Sequence, residues 1–446
     1  MLSKHLASKL IYPRLIIAIM IGFGQASLAD SGLQQWQYEF DSTSSDTSKG
    51  DSLSFNQILG LVAEQNPILM SLDWKLKSAE KKIQQAGLLT NPELELEFEE
   101  VGWNAPGFKE SEITFLLSQD LEFFGQRGAR KRLAEVNLDV IKWENRKAAF
   151  GLYLDAKSRF FKLAHAQQQS ILTDEAVKLS QSIRDNIAAK INKGAALQSE
   201  LLLAELEFQK TRLDFNTALR ERKNMSLKLS ALWGDKNGNI VIRHESPCDD
   251  TFNSKTQDID IIADSSAGII EMIYRKRLLE SETRLSVAEA RPSVTLKGGY
   301  KRLESEKTNS FVLGISFPLP FINRNQGRRA GLKAEIISLQ YEIEQSRLEA
   351  SAVISSFIGR LEQHNDKINA IDTLLLPTAG RAYKDLEQAY NAGRIPYTSL
   401  LEGKRTLMNL RFEKNDLILS MRNEQIELER IIGITLDKNQ NERFKR

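Results

Sequence analysis

The residues best suited to ionic chemistry stand in one short stretch. Glu93, Glu95, Glu97 and Glu99 alternate with Leu94, Leu96 and Phe98. Period-two alternation places four carboxylates on one face of a strand and the apolar side chains on the other. Such a row is hard to place in a soluble core. It fits a water-filled lumen, with Leu94, Leu96 and Phe98 turned to lipid. That chemistry handles ions and breaks no bonds. No Ser-His-Asp, phosphate-cradling or HExxH pattern accompanies it, so neither an enzyme nor a cofactor is expected. The single cysteine, Cys248, excludes an intrachain disulfide and a cysteine metal cluster. His165 and His364 each precede a glycine, Gly194 and Gly393, by 29 residues. Several copies at one level could meet a borderline metal, but the simpler reading is packed or exposed helix histidines, and no metal site is assigned.

The strand carrying the glutamates belongs to a hairpin, and the hairpin occurs twice. Asn91–Arg127 holds strands at about 93–101 and 111–122, separated by a Gly/Pro/Asn loop. Arg291–Arg328 holds strands at about 293–301 and 310–318. Pro92 matches Pro292 and Gln126 matches Gln326 at an offset of 200 residues. In the second copy Lys297 takes a polar, lumen-facing position. About ten residues per strand is the length that crosses a bilayer when tilted.

The remaining sequence must position these hairpins, and it reads as helix. Residues 1–29 form a basic, then apolar, then small-x-small segment, the pattern of a signal peptide. Residues 30–50 read as a flexible extension. The first repeat spans 51–234, a connector 235–258, the second repeat 259–433 and a polar tail 434–446. Helix is expected from near Leu53 towards Gly87. A helical pattern from Gly128 to Lys193 would be on the order of 100 Å long. Gly194 and Gly393 interrupt the long helices, and helical tips are expected near 194–199 and 393–399, with Ser199 and Thr398 as N-caps. Leu332, Leu339 and Val353 share one heptad position, and Ile336, Ile343, Ala350 and Phe357 another. That period predicts coiled-coil packing. Pro377 should kink its helix, where the first copy has Lys178.

Four strands cannot close a barrel, and open edges in lipid leave backbone groups unpaired. Several chains must pool strands. Two would give eight, whose interior fills with side chains, and three would give twelve around a channel. The expected fold class is therefore mainly α: a long helical coiled-coil barrel with four transmembrane β-strands per chain, closing as a trimer. With 61 basic and 59 acidic residues, nothing favours nucleic acid as a partner.

The segments NPELELEF, SQDLEFFGQRGAR, ISFPLPFINRNQG and AYNAGRIPYTSLLEGKRTL, in this order, resemble the TolC family of outer-membrane efflux proteins. Within it the likeness is to the branch serving cobalt–zinc–cadmium exporters. The resemblance covers essentially the whole chain after residue 29. It implies a homotrimer in outer-membrane lipid, with a large periplasmic part, docked to a periplasmic adaptor and an inner-membrane RND-type pump. It also implies that the helical tips form the gate. Glu402 matches an acidic ring, while Ser399 stands where relatives often carry a second acidic residue. Ser199 and Glu200 match latch residues, Tyr390 matches a latch tyrosine, and Arg394 lies on the tip turn. A helix glutamate paired with Lys404 or Arg405 is the competing reading of Glu402. Two other functions remain open: an exit duct for drugs or for type I peptide or protein secretion, and a soluble periplasmic coiled-coil scaffold.

Overall fold

The structure is a computed structural model, and it describes residues 52–101, 108, 111–243 and 259–433. The signal segment 1–29, the 30–50 extension, most of the connector, the 434–446 tail, His244 and Cys248 lie outside the described residues. The chain divides into two compact units. One comprises Ser71–Asn145 and Gly268–Arg347, the other Met1–Met70, Arg146–Ala267 and Leu348–Arg446.

The first unit holds the sheet. Strands β1 (Glu93–Glu99), β2 (Glu112–Leu121), β3 (Val294–Leu303) and β4 (Thr308–Ser316) pair antiparallel in chain order. The register is continuous, with Leu96 opposite Phe115, Phe115 opposite Tyr300, and Tyr300 opposite Phe311. β1 and β4 are the edges, each paired on one side only. Both hairpins leave the sheet through the same kind of corner. Gln126 Oε1 accepts the Phe124 N–H at 3.1 Å, and Gln326 Oε1 accepts the Arg324 N–H at 2.8 Å. Each glutamine thereby occupies a backbone donor where strand gives way to helix. Beside the sheet, Ile269 and Leu279 of α6 (Ala267–Glu289) pack on Leu332, Leu339 and Ile343 of α7 (Gln326–Ala370). These are the expected heptad positions, whereas Val353 is exposed.

The rest of the described chain is helical. Expected as one helix, residues 53–87 form two, α1 (Phe55–Gln65) and α2 (Pro67–Ala86). Pro67 disfavours helical backbone at the residue before it, and Asn66 is extended at φ −75°, ψ 121°. The Asn66 side chain then accepts the Ile68 N–H at 2.9 Å and donates to Leu232 O at 2.8 Å. Ile58 and Val62 of α1 are fully buried. The long helices are α3 (Gln126–Ile191), α4 (Gln198–Ser230) and α9 (Tyr397–Ile432); α5 (Ile259–Asp264) is a short one. Lys157 of α3 and Glu429 of α9 form a buried ion pair at 2.9 Å.

Proline alters one helix and not its counterpart. Between α7 and α8 (Leu376–Asn391) the ladder widens into a π-turn over Ile371–Leu375. Pro377 has no N–H and its ring opposes the carbonyl four residues earlier, so the wider turn relieves both conflicts. Around Lys178 the α-helix is uninterrupted.

Both tips turn on a left-handed glycine. Gly194 and Gly393 each have φ +71°. The next N–H reaches back five residues, from Ala195 to Lys190 O and from Arg394 to Ala389 O, both at 2.9 Å. This is the Schellman closure of a helix end. A Cβ at Gly393 would touch nothing within 4 Å, so Gly393→Ala pays only the left-handed strain of about 1–2 kcal/mol. Hydrogen exchange at Gly393 and Arg394 should accelerate in that variant; unchanged protection would refute the left-handed turn.

Candidate functional site

The sheet separates two chemistries by the parity of its residues. Glu93 lies opposite Ser118, and Ser118 opposite Lys297; Glu97 lies opposite Thr114, and Thr114 opposite Lys301. Lys297 Nζ stands 3.7 Å from Glu95, and Lys301 reaches Glu99 at 3.6 Å and also pairs with Glu112. Six carboxyl groups (Glu93, Glu95, Glu97, Glu99, Glu112 and Asp120) share this face with two lysines, Lys297 and Lys301. The other face is apolar and open. Phe311 and Leu313 on β4 are each 87% exposed, and Ile315 on β4 and Leu94, Leu96 and Phe98 on β1 are exposed on the same face. Among the described residues no helix is long and apolar enough to cross a membrane.

The tip assembles four helix ends around a tyrosine-rich core. Tyr383, Tyr390 and Tyr397 are buried with Ile183, Ile187, Ala204 and Leu400. The Tyr390 hydroxyl donates to Glu200 Oε2 over a long 3.5 Å, and the Tyr397 N–H donates to Glu200 Oε1 at 3.4 Å. Lys190 Nζ donates to Tyr390 O at 2.9 Å and sits 4.0 Å from the centre of its ring. Burial lowers the Lys190 pKa, and the nearby Glu200 carboxylate only partly offsets this. One heptad along, the Glu207 carboxylate receives Lys404 at 3.3 Å and Arg405 at 2.7 Å. Burial alone would raise the Glu207 pKa, but the Arg405 hydrogen bond and the two cations hold it below the usual carboxylate range.

The structure joins some of the expected tip residues and separates others. Glu200 and Tyr390 meet. Glu402 is exposed on α9, lining a shallow groove with Ala379, Leu386 and Ser399. Lys404 and Arg405, the competing partners for Glu402, turn instead to Glu207. Arg394 is exposed, and its backbone closes the turn. The N-cap expectation for Ser199 and Thr398 is corrected. The helices begin at Gln198 and Tyr397, with Leu197 and Pro396 as caps and no side-chain cap bond. Ser199 and Thr398 already lie inside the first turn, where helical backbone does not aim the hydroxyl at the following amides as the extended backbone of an N-cap does. His165 Nε2 lies 2.7 Å from Asp416 Oδ1, and His364 Nδ1 is buried without a hydrogen-bond partner. No group of three or more His, Cys, Asp or Glu suited to a metal exists among the described residues. Glu207 and Lys404 were missed as a pair. The signal was heptad spacing within each helix, Glu200 to Glu207 and Tyr397 to Lys404.

A mixed helical and antiparallel chain with one apolar sheet face and one charged face is a membrane duct component. The chain belongs to the outer membrane efflux protein family, whose model matches residues 58–235 and 268–434. It is an outer-membrane protein and not an enzyme, in agreement with the TolC-type resemblance. Among characterised relatives, it is 22% identical over 388 residues to the cobalt-zinc-cadmium resistance protein CzcC of Cupriavidus metallidurans, covering 85% of this chain and 90% of that one. It is 20% identical over 303 residues to the nickel-cobalt-cadmium resistance protein NccC of Alcaligenes xylosoxydans xylosoxydans, covering 66% and 67%. The fold is that of the transmembrane channel protein CusC (TM-score 0.69, 18% identity, 85% and 92% covered). It is equally that of the outer membrane protein VceC of Vibrio cholerae (TM-score 0.68, 16% identity, 86% and 97% covered).

The tyrosine core has a measurable alkaline signature. Burial pushes the phenols of Tyr383, Tyr390 and Tyr397 up to about 12, with the carboxylates of Glu387, Glu200 and Glu207 adding to the rise. An unfolded tyrosine loses its proton near pH ~10. Between these values the unfolded chain binds fewer protons, so this stabilisation is complete below pH ~10 and falls as pH rises towards 12. Phenolate absorbance should therefore show at least three tyrosines titrating late, and one fewer in Tyr390→Phe. A single step for every tyrosine near pH ~10 would contradict the buried core.

Proposed function

We propose that three copies of this chain form the outer-membrane duct of a tripartite efflux system that exports heavy-metal cations. The open sheet carries this reading. Its two edges and its exposed apolar face are both unsatisfied in one chain, and lipid tolerates the face but not the edges. Three four-stranded sheets closing edge to edge make a twelve-stranded barrel, apolar outside and acidic within. An acidic lumen concentrates cations along the path. The names of CzcC and NccC support the metal class of substrate. An inner-membrane RND-type pump and a periplasmic adaptor supply the energy and the link. Metal sensitivity of a deletion strain across zinc, cobalt, cadmium, nickel and copper tests the substrate class; drug sensitivity alone would point to a different cargo.

The barrel is tested through its faces. An arginine on a lipid face costs ~2–4 kcal/mol at mid-bilayer, whereas one in a lumen stays hydrated. Leu96→Arg should therefore reduce assembled outer-membrane protein far more than Glu97→Arg, measured as detergent-extracted trimer mass and yield. Equal losses would mean the faces are misassigned.

The tip is the gate in this reading, with Glu200–Tyr390 as a latch and Glu402 as a ring of carboxylates around the axis. Three carboxylates in a narrow neck attract cations and bind a multivalent ion that blocks the pore. In single-channel recordings Glu402→Gln should lose cation preference and sensitivity to trivalent-ion block. Unchanged selectivity and block in an intact assembly would place the gate elsewhere.

A further inference from the structure

One heptad beyond the Glu200–Tyr390 contact lies a cluster of full charges that the latch does not use. Residues seven apart on packed helices face the same neighbour in successive layers. Glu207 follows Glu200 by seven on α4, and Lys404 follows Tyr397 by seven on α9. The layer in which the Tyr397 backbone N–H meets Glu200 thus recurs as a layer that places an ammonium against Glu207. The Lys404 side chain is 2% exposed and that of Glu207 9%. Lys404 Nζ donates to Glu207 Oε1 at 3.3 Å and to Ser180 Oγ of α3. Thr211 Oγ1 of α4 donates to the same serine oxygen at 3.2 Å. Arg405, about half exposed, holds the other carboxylate oxygen at 2.7 Å. The cluster therefore joins α3, α4 and α9 through one buried cation.

We propose that Glu207, Lys404 and Ser180 form a second, ionic interlock that holds α9 against α3 and α4 and must break when the tip opens. The proposal rests on the gate reading above. Apolar side chains can slide past one another with gradual loss of contact. A desolvated ion pair cannot, because parting it leaves two unpaired charges in a dry layer until water reaches both. It resists opening steeply at short displacement, and once hydrated it offers little resistance. Arg405 adds a weaker hold at the rim of the same carboxylate, since half-exposed pairs are screened. The lysine and glutamate are positioning residues, acting on the pore through the helix that carries Glu402.

A double-mutant cycle in the purified, assembled channel tests this. Conductance of the closed channel in planar bilayers is compared for wild type, Lys404→Gln, Glu207→Gln and the double variant, with Tyr390→Phe as the reference for the latch. Each single change should raise closed-state conductance at least tenfold. The double change should exceed neither single by more than a small factor, because one coupled contact is lost in all three. Arg405→Gln should raise it less. Wild-type conductance in both singles, beside a leaky Tyr390→Phe channel, overturns the interlock and leaves the gate reading standing. Wild-type conductance in Tyr390→Phe as well overturns the gate reading itself. Return of the double variant to wild-type conductance also overturns the interlock, since the singles would then report only a stranded charge. Should the glutamine variants fail to assemble, Glu207→Asp decides. It keeps the charge but withdraws it from Lys404, and wild-type conductance there refutes the proposal.

Discussion

A backbone amide in hydrocarbon must find a partner, and this constraint governs the chain from its sheet outward. β1 and β4 each present an unpaired edge, while the face between them is apolar enough for lipid. No soluble arrangement of one chain satisfies both features. The proposed association through the edges would do so, and it would give the mixture of a small open sheet with very long helices a single explanation. A helix bonds its own backbone and can extend through water to any length, whereas a strand needs a neighbour.

The tip obeys a different physics. There the backbone is already satisfied, and specificity comes from side chains buried between helices. Tyr390 against Glu200 and Lys404 against Glu207 are both costly contacts to bury, since a carboxylate loses hydration in each. A purely apolar seam of the same volume would be as stable or more so. Polar layers at heptad intervals instead fix which residues face one another. The π-turn before Pro377 belongs to the same logic. It sits in the helix that leads to Gly393, whereas the helix that leads to Gly194 is unbroken.

Several elements were legible because their signal is local. Strand faces follow from parity alone, so Glu93, Glu95, Glu97 and Lys297 fall together on one face as their spacing requires. The two turn glycines announce themselves, since a left-handed residue that ends a long helix is most easily glycine. Errors arose where a neighbour in sequence competes with the pattern. Asn66 looked like helix interior until the constraint from Pro67 is counted, and the caps at Leu197 and Pro396 lie two residues before the hydroxyls that seemed suited to the task.

What the sequence by itself determined, then, is what period and local backbone sterics set: strand faces, the tip turns and the membrane-duct class. What only the tertiary structure decided is which charges meet. Glu402 and Glu207 are both glutamates on tip helices, and Lys404 and Arg405 lie within a turn of Glu402. Sequence proximity favoured pairing them with Glu402. The packing of α9 on α3 and α4 turns Lys404 inward to Ser180 and Glu207 and leaves Glu402 in the open groove. A helix has only one face towards a given neighbour, and the identity of that neighbour is a property of the folded bundle. A heptad shows which residues share a layer; three-dimensional packing alone shows which helix lies across from it.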